Sequence, residues 1–224
     1  LLAPPSPTAG LRFTTEGLGR RNEIGLLIDP ASGQVLQRSS HETGKRDKYR
    51  IYRFGPAGAQ RRTWRPAEGE EAAAPTAWSD RREQWFPVPA EVVGETLTEP
   101  GTLIYLVTIS DLAAPGDQFG LHAFSTSDET VYRIDAEVLS PDRVKFDYRR
   151  EGGPAAGRAE GRLEAIRVAI RGRPLGGDGE LTLLGMRDVE LLLDPTTRAP
   201  LQLRGRVALF GGITFTLQRL AVTE

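Results

Sequence analysis

Apolar and polar residues alternate with a period of two along much of this 224-residue chain. That spacing belongs to strands with one covered and one wetted face. In Leu201-Gln202-Leu203-Arg204-Gly205-Arg206-Val207-Ala208-Leu209 the odd positions are mostly apolar and the even ones mostly polar. Ile213-Thr214-Phe215-Thr216-Leu217-Gln218 repeats the pattern, and its phase inverts at Arg219-Leu220, which predicts a bulge. Tyr132, Ile134, Ala136 and Val138 alternate with charged residues, as do Val144, Phe146 and Tyr148. Ile24, Leu26 and Ile28 recur at the same spacing. Each run predicts a half-buried antiparallel strand.

The punctuation agrees with this reading. Asp29-Pro30-Ala31-Ser32-Gly33, Ser140-Pro141-Asp142 and Asp194-Pro195-Thr196-Thr197-Arg198-Ala199-Pro200 are turn clusters between strand-like runs. Phe210-Gly211-Gly212 is a hairpin signal, because consecutive glycines supply the positive φ of primed turns. Strands are predicted near 11–17, 22–29, 33–42, 47–54, 59–65, 118–124, 130–139, 143–149, 161–171 and 187–194, with two more towards the C-terminus. The expected fold is all-β: an antiparallel, strongly curved open or closed barrel of roughly ten to twelve strands with one short plug helix.

Two stretches break the alternation. Residues 66–80, with Ala72-Ala73-Ala74-Pro75, predict a mobile loop. Residues 99–112 predict a short helix, with Pro100 suited to its first turn and Leu103, Leu106, Val107 and Ser110 on one face. The β-branched content there leaves a buried strand as the alternative. The N-terminal residues 1–10 hold three prolines and predict an extended tether before a single β-domain over 11–224. The chain opens on Leu1 rather than Met, which implies an upstream segment such as a secretion signal. No apolar run approaches the length of a membrane span.

Composition narrows the chemistry. The 29 Lys and Arg balance 30 Asp and Glu, evenly along the chain, which excludes a globally basic nucleic-acid binder. With no Cys, thiol catalysis, cysteine-held zinc and iron–sulfur clusters are excluded; two distant histidines, His41 and His122, exclude a His-rich metal site. Ser39-Ser40-His41-Glu42 and His122-Ala123-Phe124-Ser125 lack a nucleophile elbow, and strand neighbours point to opposite faces, so both histidines read as solvated strand residues. The glycine-rich Pro174-Leu175-Gly176-Gly177-Asp178-Gly179-Glu180 lacks the Lys-Ser/Thr ending of a phosphate loop and reads as a hairpin connection. No cofactor or metal is expected.

The second half resembles a bacterial cell-envelope family known as the domain-of-unknown-function 3108 family. The resemblance rests on Leu103-Ile104-Tyr105-Leu106, Ala114-Pro115-Gly116-Asp117, Tyr132-Arg133-Ile134 and the run from Val189 through the Asp194–Pro200 turn to Leu201. The first half joins more loosely through Ile28–Leu36 and Tyr52-Arg53-Phe54-Gly55-Pro56-Ala57-Gly58. Leu11-Arg12-Phe13-Thr14-Thr15 departs from the family's aromatic opening strand. The resemblance implies an exported, periplasmic antiparallel β-barrel and no stated activity. Its shape is similar to the lipoprotein-carrier half-barrels, which hold acyl chains on a concave face; that is an analogy of architecture.

These readings combine into an expected non-enzymatic periplasmic binding protein holding a lipid-like or amphipathic ligand in a curved sheet. Ile134, Phe146, Leu203 and Phe215 would line its concave side, with Leu103 and Tyr105 on the plug helix. Trp85 and Phe86, from the aromatic run Trp85-Phe86-Pro87-Val88-Pro89, would cover the mouth, and Arg50 and Arg53 would meet an anionic head. The alternative is a structural or interaction module of a cell-envelope assembly, its barrel filled by its own side chains and its partner an envelope protein. The basic stretch Lys45–Arg65 would then answer an anionic partner, if its cations oppose one another across a hairpin, or be neutralised by nearby acids. Nucleic acid is not an expected partner.

Overall fold

The computed structural model describes residues 8–17, 19–44, 47–152, 156–176, 179–208 and 211–221. Most of the expected tether, Lys45, Arg46, Gly177, Asp178 and Phe210 lie outside the described residues. The chain forms two compact units: Leu1–Thr102 with His122–Val131, and Leu103–Leu121 with Tyr132–Glu224. Among the described residues no helix is long and apolar enough to cross a membrane.

The first unit is built on a six-stranded antiparallel meander. Its strands are β1 (Ala9–Gly17), β2 (Arg20–Ile28), β3 (Val35–Thr43), β4 (Lys48–Gly55), β5 (Gly58–Arg65) and β6 (Asp80–Pro87), paired in chain order. Local turn chemistry sets this order. Between β2 and β3 the Asp29 carboxylate accepts from the Ala31 amide at 3.0 Å and the Ser32 hydroxyl at 2.8 Å. Between β5 and β6 the approach is so close that a Cβ on Gly58 would sit 2.2 Å from the Phe86 carbonyl oxygen. One face of the sheet carries the core: Leu26, Ile28, Tyr52, Phe54, Ala59 and Phe86 are buried. Phe124 packs on that face, its ring centroid 5.6 Å from Phe86 and 6.1 Å from Phe54.

A buried ion pair ties the end of this unit to β3. Arg38 Nε lies 3.2 Å from the Glu99 carboxylate, with side-chain exposures of 11% and 9%. Glu99 also accepts from the Gly101 amide at 2.7 Å. Burial pushes the Glu99 carboxyl above its ordinary range, and Arg38 pulls it partly back.

The second unit contains α1 (Leu103–Ile109), entered through a 3-10 turn at Pro100–Thr102, and most of a mixed eight-stranded sheet. The strands are β7 (Leu97–Thr98), β8 (Gln118–Ser125), β9 (Thr130–Glu151), β10 (Gly157–Pro174), β11 (Arg187–Leu193), β12 (Pro200–Val207), β13 (Gly211–Thr216) and β14 (Arg219–Ala221). Their order is β13-β12-β11-β10-β9-β8-β7, with β14 parallel to β9. Val144, Tyr148, Ala165, Leu192, Ala199 and Leu201 form one buried cluster, with Phe146 packed against it.

Several expectations are corrected. Neither sheet closes into a barrel: the described strands number fourteen, in two sheets with free ends. The Ser140-Pro141-Asp142 cluster does not separate two strands. It lies inside the continuous β9, where the register with β10 shifts between Ala165 and Arg167; a bulge tolerates a proline that has no N–H to donate. The phase flip at Arg219 is not a bulge either, because the chain leaves β13 and pairs Arg219–Ala221 with Arg149–Glu151. Trp85 and Phe86 lie in β6, a strand that alternation does not predict: its Asp80-Arg81-Arg82-Glu83-Gln84 start shows none, because an edge strand is wetted on both faces.

Candidate functional site

Register, rather than proximity in sequence, assembles the face of the first sheet opposite its core. Directly opposed residues on antiparallel strands project to the same side. One row across β2 to β6 is Glu23, His41, Tyr49, Trp64 and Arg81. The next is Gly25, Ser39, Ile51, Arg62 and Glu83, and the third is Leu27, Gln37, Arg53, Gln60 and Trp85. Because the period is two, Tyr52 and Phe54 go to the core, while Tyr49 and Arg53 stay on this side.

The rings of this face touch. Tyr49 and Trp64 centroids stand 5.7 Å apart, and His41 meets Tyr49 edge-on at 5.8 Å. Trp78 covers the other side of His41 at 5.9 Å, so the His41 Nε2 atom is buried without a hydrogen-bond partner. The same crowding raises the Tyr49 phenol above its usual range through desolvation. Trp85, at 53% exposure, stands at the edge of the face.

The connection 66–79 is pinned onto the sheet by Trp78 and Glu70. Trp78 is buried, and its indole N–H donates to the Glu70 carbonyl at 3.0 Å. The Glu70 carboxylate accepts from the Ala67 amide at 3.0 Å, the Ser79 amide at 2.8 Å and the Ser79 hydroxyl at 3.0 Å. Those two amides hold its carboxyl below the usual range.

Polar groups surround the rings. Arg62 Nε lies 3.2 Å from Glu83, which also accepts from Gln60, and Arg81 donates to the Trp78 carbonyl at 3.3 Å. A depression of about 210 Å³ beside Trp64 is lined by Arg62, Thr63, Arg81, Arg82 and Glu83. At the hairpin end a cavity of about 560 Å³ is lined by Arg20, Arg21, Glu42, Thr43, Asp47, Lys48 and Arg65. Most of its cations are matched locally: Lys48 lies 3.2 Å from Glu42, Arg21 3.1 Å from Glu16 and Arg65 3.8 Å from Asp80.

Between Tyr49↔Trp64 and Gly55↔Gly58 the basic residues of β4 and β5 do not oppose one another across the hairpin. Arg50 faces Thr63, Arg53 faces Gln60, and Arg61 and Arg62 face Tyr52 and Ile51. Arg61 lies on the core side, 5.1 Å over the Phe86 ring and paired with Glu129.

The structure disperses the residues expected to line a ligand niche. Ile134 is fully buried opposite Gly172, whose open flank is filled by Leu181. Phe146 lies twelve residues along the same strand, about 40 Å away at strand rise. Leu203 and Phe215 do meet, as a cross-strand pair, with Leu203 buried and Phe215 47% exposed. Leu103 is buried and Tyr105 half-buried on α1. Trp85 and Phe86, being neighbours on a strand, go to opposite faces, as do Arg50 and Arg53.

Catalytic and metal chemistry find no assembled groups among the described residues. His122 Nδ1 lies 2.6 Å from the Glu95 carboxylate, but Ser125 sits at odd spacing on the same strand and pairs with Ser127. Ser40 projects away from His41. No group of three His, Asp or Glu could hold a metal ion among the described residues.

Sequence reasoning noted Arg62 only as part of a basic stretch and missed Arg81 and the two adjacent rows that put them on one face. The signal was present in Tyr49-x-Ile51-x-Arg53 and Gln60-x-Arg62-x-Trp64, whose non-core positions are aromatic and cationic rather than merely polar. No family model, curated protein or solved structure matches this chain.

Proposed function

We propose that this chain is a non-enzymatic interaction module of the bacterial cell envelope, acting in the periplasm, and that its first sheet recognises the partner through the face opposite the core. The observation that carries the reading is the register that aligns His41, Tyr49, Trp64 and Arg81 across four strands on the face opposite Tyr52 and Phe54, with the exposed Arg53, Arg62 and Trp85 beside them. His41 and Arg81 seat Trp78, but that packing leaves Arg53, Arg62 and Trp85 exposed on the same side, where an aromatic and cationic surface is available to a partner. The envelope assignment rests on the resemblance of the second half to the domain-of-unknown-function 3108 family.

The test is retention of the full-length protein in its own host. Wild type is expected to sediment with the envelope fraction, and an Arg53→Glu/Arg62→Glu/Trp85→Ala variant with unchanged melting temperature is expected to be released into the soluble periplasmic fraction. A wild-type protein in the cytosolic fraction, or a variant that partitions normally, overturns the proposal.

The competing proposal is a lipid-like or amphipathic ligand held against a curved sheet. Native mass spectrometry of protein purified from its host decides for it if an acyl species co-purifies and a fluorescent lipid probe is displaced.

A further inference from the structure

The chemistry of the first sheet's non-core face defines the class of ligand it fits, and this step rests on the reading of that face as the recognition surface. We infer that the face binds a neutral, hydroxyl-rich glycan chain, with Trp64 and Trp85 as stacking platforms.

Trp85 pairs with Gln60, four residues from Trp64 on β5. At strand rise this sets their Cα atoms about 14 Å apart along and across the sheet, and the Trp85 ring leans further away, towards Gly58, a span suited to a short extended oligomer rather than to one small molecule. The ground between them is neither apolar nor of one charge. It holds the Arg62–Glu83 pair and Gln60, which also donates to Glu83, and Arg53 opposite Gln60. Guanidinium groups only donate, carboxylates only accept, and the amide does both. A sugar hydroxyl, donor and acceptor at once, satisfies every one of them.

Two other ligand classes fit less well. A polyanion such as single-stranded nucleic acid would use the rings and arginines, but it would meet Glu83 and, in the Tyr49 row, Glu23 on the same face. An apolar chain would strip water from the ion pair and leave its polar atoms unmatched. The depression of about 210 Å³ beside Trp64 lies below the usual volume of a drug-sized pocket and suits a single ring seated against the indole. Trp78, buried and bonded to Glu70, covers the His41 end of the face and takes no part in stacking.

The full chain is titrated with chitohexaose, maltohexaose and laminarihexaose, and separately with oligo-dT and heparin, by tryptophan fluorescence and calorimetry. Saturable binding to at least one hexasaccharide is expected, persisting at high salt because no net charge is neutralised. Trp85→Ala, at an exposed position that leaves the fold intact, is expected to weaken binding about three- to tenfold and Trp85→Phe to restore most of it. Failure of all three hexasaccharides to bind, or binding indifferent to Trp85→Ala, overturns the inference. Salt-sensitive binding of oligo-dT or heparin alone also overturns the glycan assignment, yet it leaves the face as the recognition surface. Normal retention of the triple variant in the fractionation experiment overturns that surface itself.

Discussion

Arg198 donates from Nη1 to the carbonyl of Leu112 at 2.7 Å and from Nη2 to those of Val107 and Ser110 at 3.0 and 3.1 Å. Its Nε reaches Thr108 at 3.3 Å. One guanidinium thus collects two carbonyls from the last turn of a seven-residue helix and two from the residues just past it. The turn that presents it is self-bonded: the Asp194 carboxylate accepts from the Thr196 and Thr197 amides, and Arg198 stands at φ 60°.

Arg198→Ala is expected to destabilise the second unit by about 1.5–3 kcal/mol, the worth of charge-assisted hydrogen bonds left unmade. Arg198→Lys recovers only part of this, since an ammonium has no planar fork to span several carbonyls. Urea unfolding, with amide exchange in 107–112, measures both. Equal stability of wild type and Arg198→Ala would refute the capping role.

The Arg38–Glu99 pair makes stability depend on pH in a direction opposite to that of most carboxylates. Burial holds the Glu99 carboxyl above its unfolded value of 4.5, so the folded chain binds this proton more tightly than the unfolded one. Its contribution is complete below pH 4.5 and is lost as pH rises through the folded value. Arg38→Met strands the carboxylate and is expected to cost about 3–5 kcal/mol at neutral pH, and less in acid. Arg38→Met/Glu99→Leu regains most of that. Denaturation across pH 4 to 9 reads the slope, which Glu99→Gln should flatten.

Glu70 acts in the ordinary direction. Its carboxyl is held below the unfolded value by the Ala67 and Ser79 amides, so its anchoring is present above that value and fades as pH falls through the folded one. Glu70→Ala is expected to speed amide exchange at Ala67 and Ser79 and to shift Trp78 emission to the red. An unchanged spectrum and unchanged exchange would show that the connection is held by other contacts.

Gly58→Ala places a methyl against the Phe86 carbonyl and the Trp85 ring. Overpacking of this kind is expected to cost about 1–3 kcal/mol, read as a fall in the urea midpoint of the first unit. It also displaces β6, so Trp85 fluorescence should change with it.

The chain's own pattern determined the all-β class and most strand positions. β2 to β5, β8, β11 and β12 lie close to where alternation and turn residues put them, because period two and turn chemistry are local properties. The helix at Leu103–Ile109 was equally legible from its Pro100 start. Locality also marks where the reading failed. Pro141 carries the same letters in a turn and in a bulge, and only the presence of β10 alongside makes Ser140–Asp142 part of one strand. Trp64 and Arg81 are seventeen positions apart, yet the pairing of β5 with β6 makes them neighbours. Which sheet a strand joins, and which residue stands opposite which, depends on contacts between distant segments. Tertiary structure alone therefore decided that the strands form two sheets rather than a closed barrel, and which residues share the aromatic, charged face of the first.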